Sequence, residues 1–196
     1  MKKYPLFHSH LELSHHYWER LLLPGDHAID ATCGNGLDTA FLATCLFSTE
    51  NLTGTLLAID TQAEAIEATQ RRLEETFGNS VVDRVSFLQQ CHSTFPASLP
   101  PIKLIVYNLG FLPKGDKALK TQTETTIASL SNALPLIQPG GAISITCYPG
   151  HPGGKEEELA VRSFAASLKD GEWSCYFHER LNRRNAPSLL LLQKAL

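Results

Sequence analysis

Residues 28–43 read AIDATCGNGLDTAFLA, and they decide how the rest of the chain is read. The stretch opens on a short apolar run, Ala28-Ile29, that ends in Asp30. It then turns through the small residues Gly34-Asn35-Gly36 and continues as a segment whose apolar positions Leu37, Phe41 and Cys45 recur at helical spacing, with Asp38 in the first turn. Strand, glycine turn, then helix is the local architecture of a nucleotide-binding βα unit. Glycine allows the tight turn and leaves no Cβ in the path of a ligand.

The pattern is G-x-G-x-x-T, with Thr39 where a pyrophosphate binder carries its third glycine. Asp30, just before the turn, would repel a pyrophosphate but suits a ligand with an ammonium or amide edge. S-adenosylmethionine (SAM) has an amino-acid moiety and a sulfonium and no phosphate, so Asp30, Gly34 and Gly36 are candidate contacts to it. An ordinary glycine turn is the plain alternative. A second anchor follows: residues 54–60, GTLLAID, read as a buried strand ending in Asp60. A carboxylate there, roughly 20 residues after a glycine loop, is placed to accept both hydroxyls of an adenosine ribose. It also caps the helix that Thr61-Gln62 open.

Working outward, the 196 residues suit one domain, 1–196, with a substantial core. No apolar run reaches the length of a membrane span, so no membrane partner is expected. Lys2-Lys3 lack the apolar run of a signal peptide. Five cysteines without a C-x-x-C pair argue against a disulfide framework and a zinc site, and point to the reducing cytoplasm. With a net charge of −3, any nucleic-acid partner must use a local patch. Oligomeric state is not set by the sequence, and a homodimer is one arrangement it allows.

Toward the N-terminus, Ser14 is a candidate cap for a helix with apolar Tyr17, Trp18, Leu21 and Leu22, ended by Pro24-Gly25. The segment leads straight into the first strand, so one reading has it lining the cleft mouth. His8, His10, His15 and His16 lack the acid or cysteine spacing of a metal site, and no metal is expected.

Toward the C-terminus, Ala63, Ile66, Leu73 and Phe77 mark an amphipathic helix stopped by Gly78-Asn79. A third strand, 85–88, leads to Cys91 and His92, candidate contacts to the adenine. A fourth, 102–107, runs into Asn108-Leu109-Gly110 at the crevice where a methyl group and its acceptor would meet. The Asn108 side chain, with backbone carbonyls at Leu109 and Gly110, can orient an amine toward an electrophilic methyl, which makes Asn108 the catalytic candidate. Its plain alternative is a loop cap. Lys114, Lys117 and Lys120, with Asp116 among them, form a basic loop suited to nucleic acid, which Lys155 and Arg183-Arg184 would extend if their loops share that face. Ile127, Leu130, Leu134 and Ile137 space out a helix ended by Pro139-Gly140-Gly141 before a fifth strand, 142–147. The Gly/Pro loop 148–154 again lies at a strand's carboxyl end, which makes Tyr148 and His151 substrate-side candidates. The tail reads as strands 173–181 and 188–193 joined by a short turn, hence antiparallel. The expected fold is therefore α/β: a Rossmann-like class I methyltransferase domain. Its seven-stranded sheet is mostly parallel, closed by a C-terminal antiparallel hairpin, with helices on both faces.

DATCGNGLDT, AIDTQ, YNLGFLPKGDK and YPGHPGG, in this order, resemble the family of putative rRNA methylases, whose members are similar to bacterial tRNA 5-(aminomethyl)-2-thiouridine methyltransferases. The resemblance spans almost the whole chain. It implies SAM as cofactor and the anticodon region of tRNA as partner. It also implies N-methylation of the aminomethyl group on a wobble uridine, with cofactor contacts at Asn35, Leu37, Asp60, Gln62, Cys91 and His92. This chain departs from the family at Lys114-Gly115, where two glycines are usual, and in 47–53, which reads as a small insertion. Three alternatives stay open: an rRNA or other amine substrate, an NAD-linked oxidoreductase, and a SAM-binding protein without chemistry.

Overall fold

β1 (His27–Asp30) pairs in parallel with β2 (Thr55–Asp60) on one side and β4 (Ile102–Asn108) on the other. The crevice of the fold opens at this branching. The computed structural model describes residues 6, 9–48, 53–110 and 121–196. The remaining strands are β3 (Val85–Gln89), β5 (Ile137–Cys147), β6 (Trp173–His178) and β7 (Ser188–Lys194). They complete a seven-stranded sheet of order β3-β2-β1-β4-β5-β7-β6. β1 to β5 run parallel, whereas β7 is antiparallel to both β5 and β6, as the short terminal connection requires. Around the sheet lie α1 (His10–Leu21), α2 (Leu37–Leu46), α3 (Ala63–Phe77), the short α4 (Asn79–Val82), α5 (Thr123–Ala133) and α6 (Gly154–Ser167).

Strand residues alternate between two apolar layers. Leu104 and Val106 pack with Trp18, Leu42, Leu46 and Leu73 under the first three helices. Ile105 and Tyr107 pack with Leu130, Val161 and Leu190 under α5 and α6. Because both faces are covered there, the central strands β1, β2 and β4 are largely apolar and buried, whereas the edge strand β6 is mostly exposed. Truncating a fully buried leucine such as Leu42 to alanine costs about 2–5 kcal/mol.

Four expectations are corrected. The cap of α1 is Ser9, whose extended backbone lets its side chain accept from the Glu12 amide at 3.2 Å; Ser14 lies inside the helix, buried, and donates to the His10 carbonyl. The buried face of α2 is Thr39, Leu42, Ala43 and Leu46, not Leu37, Phe41 and Cys45. Leu37 is 58% exposed, and Phe41 faces α1, where it stacks on His15 with ring centres 3.8 Å apart. This helix is apolar on nearly every side because sheet and helices both cover it, so periodicity alone does not choose its inner face. Finally, α5 ends at Ala133, a 3-10 turn spans Leu134–Leu136, and Ile137 already belongs to β5. The register shift between Ile102 and Leu104 absorbs Pro139-Gly140-Gly141 into the strand as an irregularity. β6 likewise stops at His178, three residues before the expected end, and 179–187 form the connection.

Candidate active site

The turn after β1 is held from below and from the side. Asp30 is fully buried; one carboxylate oxygen accepts the Thr39 hydroxyl at 2.6 Å and the other the Thr32 amide at 3.2 Å. Burial first, and the nearby Asp38 second, push its carboxyl up to about 7. Both oxygens therefore serve the turn, and Asp30 does not line the cleft, contrary to the expectation that it meets the ligand. Thr39 stands where a dinucleotide binder has glycine because Asp30 needs its hydroxyl. Gly36 lies at φ +73°, and a Cβ there would come within 2.8 Å of the Thr69 Cα, so this glycine lets α3 pack against the turn. The Thr69 hydroxyl donates to the Gly34 carbonyl at 3.2 Å and Arg72 Nε to the Asn35 carbonyl at 2.7 Å.

Above this turn opens a cleft of ≈ 630 Å³ at the carboxyl ends of β1, β2 and β4. Gly34, Asn35, Leu37, Asp60, Gln62, Cys91, His92, Asn108, Leu109, Gly110, Tyr148 and His151 line it, together with Leu11 from α1. The structure thus gathers the sequence candidates into one cavity, apart from Asp30 and Gly36, which support it. Lys114, Asp116, Lys117 and Lys120 lie outside the described residues. A second cleft of ≈ 580 Å³, around Trp18, Gly140 and Trp173, touches none of the glycine-turn residues and sits at the start of β5. Open α/β sheets seldom bind ligands at that edge.

The residues fit a SAM-type ligand. Asp60 accepts the Gly34 amide on one oxygen and the Gln62 amide on the other, both at 3.0 Å, which fixes the carboxylate at the cleft and leaves lone pairs for two ribose hydroxyls. His92 is buried at the cleft wall, its Nδ1 without a partner among the described residues, and burial lowers its pKa to about 4. A neutral imidazole with an unsatisfied ring nitrogen suits the polar edge of a base.

At the other end of the cleft, side chains from four elements meet in one polar cluster. The Asn108 amide donates to the Thr32 hydroxyl at 2.7 Å, tying the end of β4 to the end of β1. Its carboxamide Nδ2 donates to Asp38 Oδ2 in a short hydrogen bond, and Asp38 Oδ1 lies 2.6 Å from His15 Nε2. A carboxylate only accepts, so the carboxamide is oriented with its oxygen the other way, where the Tyr148 hydroxyl donates at 3.4 Å. His10 Nε2 is 2.9 Å from that hydroxyl. Burial lowers the His10 pKa against the raising charge of Asp38, and Arg183 lowers it further. Sequence reasoning missed Asp38, His10 and His15. Their signals were an acid in the first turn after the glycines and a histidine-rich α1, which contributes Leu11 to the cleft lining. Among the described residues no group of histidine, cysteine, aspartate or glutamate can hold a metal.

Past Asn108, the Gly110 amide donates to the Thr121 hydroxyl at 2.9 Å. That hydroxyl donates to Glu157 Oε2 at 2.9 Å, and Thr126 donates to Oε1 at 2.7 Å. Glu157, expected as a charge in the first turn of α6, is buried and pins the chain on either side of the cleft's rim.

The sheet order, the crevice beside β1 and β4 and the acid closing β2 define a class I methyltransferase domain. The chain belongs to the family described as "Putative rRNA methylase", whose model matches residues 56–194. It is 37% identical over 187 residues, 93% of this chain and 68% of the relative, to the chloroplastic tRNA (mnm5s2U34)-methyltransferase of Arabidopsis thaliana. A solved "putative rRNA-methylase" from Clostridium thermocellum superposes with a TM-score of 0.88 at 33% identity, covering 96% of this chain and 98% of that one. A "putative methyltransferase" from Streptococcus mutans, solved in complex with SAH, superposes with a TM-score of 0.81 at 29% identity, covering 99% of each chain.

Proposed function

We propose that this protein is a SAM-dependent RNA methyltransferase that N-methylates the 5-aminomethyl group of 5-aminomethyl-2-thiouridine at the wobble position of tRNA. The observation that carries the amine reading is the pairing of Asp38 with Asn108 at the open end of the cleft. An aliphatic amine arrives as an ammonium, which the Asp38 carboxylate attracts, and its N–H groups find acceptors in Asp38 and in Asn108 Oδ1. SAM supplies an electrophilic methyl group. The nitrogen must lose one proton before its lone pair is available; Asp38 Oδ2 is the acceptor beside it, and His15 is bonded to the other oxygen. With its remaining N–H groups held, the amine keeps one orientation, and positioning of this kind supplies much of the acceleration of a displacement. Tyr148 and His10 hold the Asn108 oxygen in place from the side opposite Asp38. The five free cysteines support a reducing, cytoplasmic setting.

Nucleoside mass spectrometry of tRNA from cells lacking the protein tests this reading. The unmethylated aminomethyl nucleoside should accumulate, and wild-type protein but not Asn108→Ala should reverse it. The family's description points to rRNA as the competing substrate, and a methyl group lost from rRNA with tRNA unchanged would assign the activity there.

A further inference from the structure

The antiparallel hairpin brings a basic turn to the ligand edge of the sheet. Ser188 opens β7 opposite Cys147, and His178 closes β6 opposite Leu189, so 179–187 emerge where the parallel strands end. A Cβ on Gly150 would lie 3.5 Å from the Asn185 carbonyl, so this turn packs against the loop that carries Tyr148 and His151. The charge of Arg183 is felt at His10, inside the polar cluster. In a chain of net charge −3, this turn holds three arginines against one glutamate.

Arg183 and Arg184 differ from the cations that serve the fold. Arg72 is bonded to the Asn35 carbonyl, Arg162 lies over the Phe177 ring at 4.3 Å, and Lys194 donates to the Ile137 carbonyl. Arg183 and Arg184 are exposed, and neither guanidinium is bonded to another residue among those described. The turn is nevertheless shaped: Asn185 sits at φ 52°, the only non-glycine with positive φ among the described residues, and Ala186 anchors it in the interior. A left-handed asparagine in a defined turn presents its neighbours at fixed places. Beside them Leu181 is 91% exposed, an apolar side chain within a cationic turn.

We infer that the β6–β7 turn is the RNA-docking surface of this protein, with Arg183 and Arg184 taking backbone phosphates next to the nucleotide that enters the cleft. The inference rests on the RNA-methyltransferase reading. Guanidinium groups match phosphate oxygens bidentately, and phosphodiesters offer that charge at regular spacing beside a cleft that takes a nucleoside. Acidic membranes offer the charge without the nucleoside.

The test measures tRNA binding by the full-length protein across a salt series, for wild type, R183A/R184A and R183K/R184K. Two lost phosphate contacts should flatten the slope of log K against log salt by about 1.4 and weaken binding at low salt by at least about tenfold. The lysine pair should keep most of the slope, and SAM affinity should not move. A folded double-alanine variant with the wild-type slope overturns the inference. So does wild-type protein that ignores tRNA but binds vesicles containing phosphatidylserine. If methyl transfer maps to rRNA, the wobble-uridine reading fails while the docking surface stands or falls on the same slope, measured with rRNA.

Discussion

Asp38 and Asn108, 70 residues apart in sequence, share a hydrogen bond in which the carboxamide nitrogen donates to the carboxylate. The bond orients the amide, leaves its oxygen for a substrate N–H, and sets a negative charge beside it. One residue comes from the first turn of α2 and the other from the end of β4, so the pair exists only because β1 and β4 are neighbours.

Asn108→Ala should lower methyl transfer by about 100-fold or more, the order of loss that follows from misplacing a reacting group. SAM affinity and melting temperature should change little, since the backbone amide keeps its bond to Thr32. The wild-type rate should rise with pH as more of the amine loses its proton. Single-turnover methylation at saturating tRNA and SAM checks both. Near-normal turnover in the variant would shift attention to His151.

Asp38→Asn keeps the shape of the side chain and removes its charge. Losing a charge-assisted contact is worth about 1.5–3 kcal/mol, so kcat/KM for the amine-bearing tRNA should fall by at least about tenfold. SAM binding, followed by calorimetry, should stay near wild type. If kcat/KM is unchanged, Asp38 serves only to dock α1 through His15.

Asp60→Ala should weaken SAM binding by roughly 1.5–3 kcal/mol, the range for hydrogen bonds to a charged group. Part of that loss will come from freeing the Gly34 and Gln62 amides, both of which Asp60 accepts. Comparing Asp60→Asn with Asp60→Ala separates the two, because asparagine keeps one acceptor oxygen. Calorimetry that finds wild-type affinity in a folded variant removes Asp60 from the cofactor site.

Asp30 carries a pH signature. Its carboxyl is raised from 3.8 to about 7, so the folded protein holds this proton more tightly than the unfolded chain does. The associated stability is therefore full below pH 3.8, declines as pH rises, and is lost once pH passes about 7. His92, lowered to about 4, works in the opposite direction below its ordinary range. The difference between wild type and Asp30→Asn isolates Asp30: the variant's melting temperature should fall less between pH 5 and pH 8. Parallel melting curves for the two proteins across that interval would refute a raised Asp30.

The basic patch expected at Lys114, Lys117 and Lys120 falls outside the described residues, whereas Lys155 at the start of α6 and Arg183-Arg184 both come to the ligand edge. Sequence alone listed them as an extension whose placement depended on which loops share a face. Strand order brings the β6–β7 turn and the start of α6 to one edge, because β7 runs antiparallel beside β5.

The sequence by itself determined the strand–turn–helix unit at 28–43, the acid closing β2, Asn108 closing β4 and the terminal hairpin. Each of these is written in neighbouring residues: glycine where the turn needs it, a short apolar run along a buried strand, a short connection that forces antiparallel pairing. Only the tertiary structure decided that Asp30 points inward to Thr39 rather than toward a ligand, and that Leu37 is exposed while Leu42 is buried. It alone turned Asp38 from a charge at a helix start into the partner of Asn108 and His15. Those roles depend on what packs against a side chain from strands and helices far away in the chain, and hydrogen-bond partners across such separations leave no local periodicity to read.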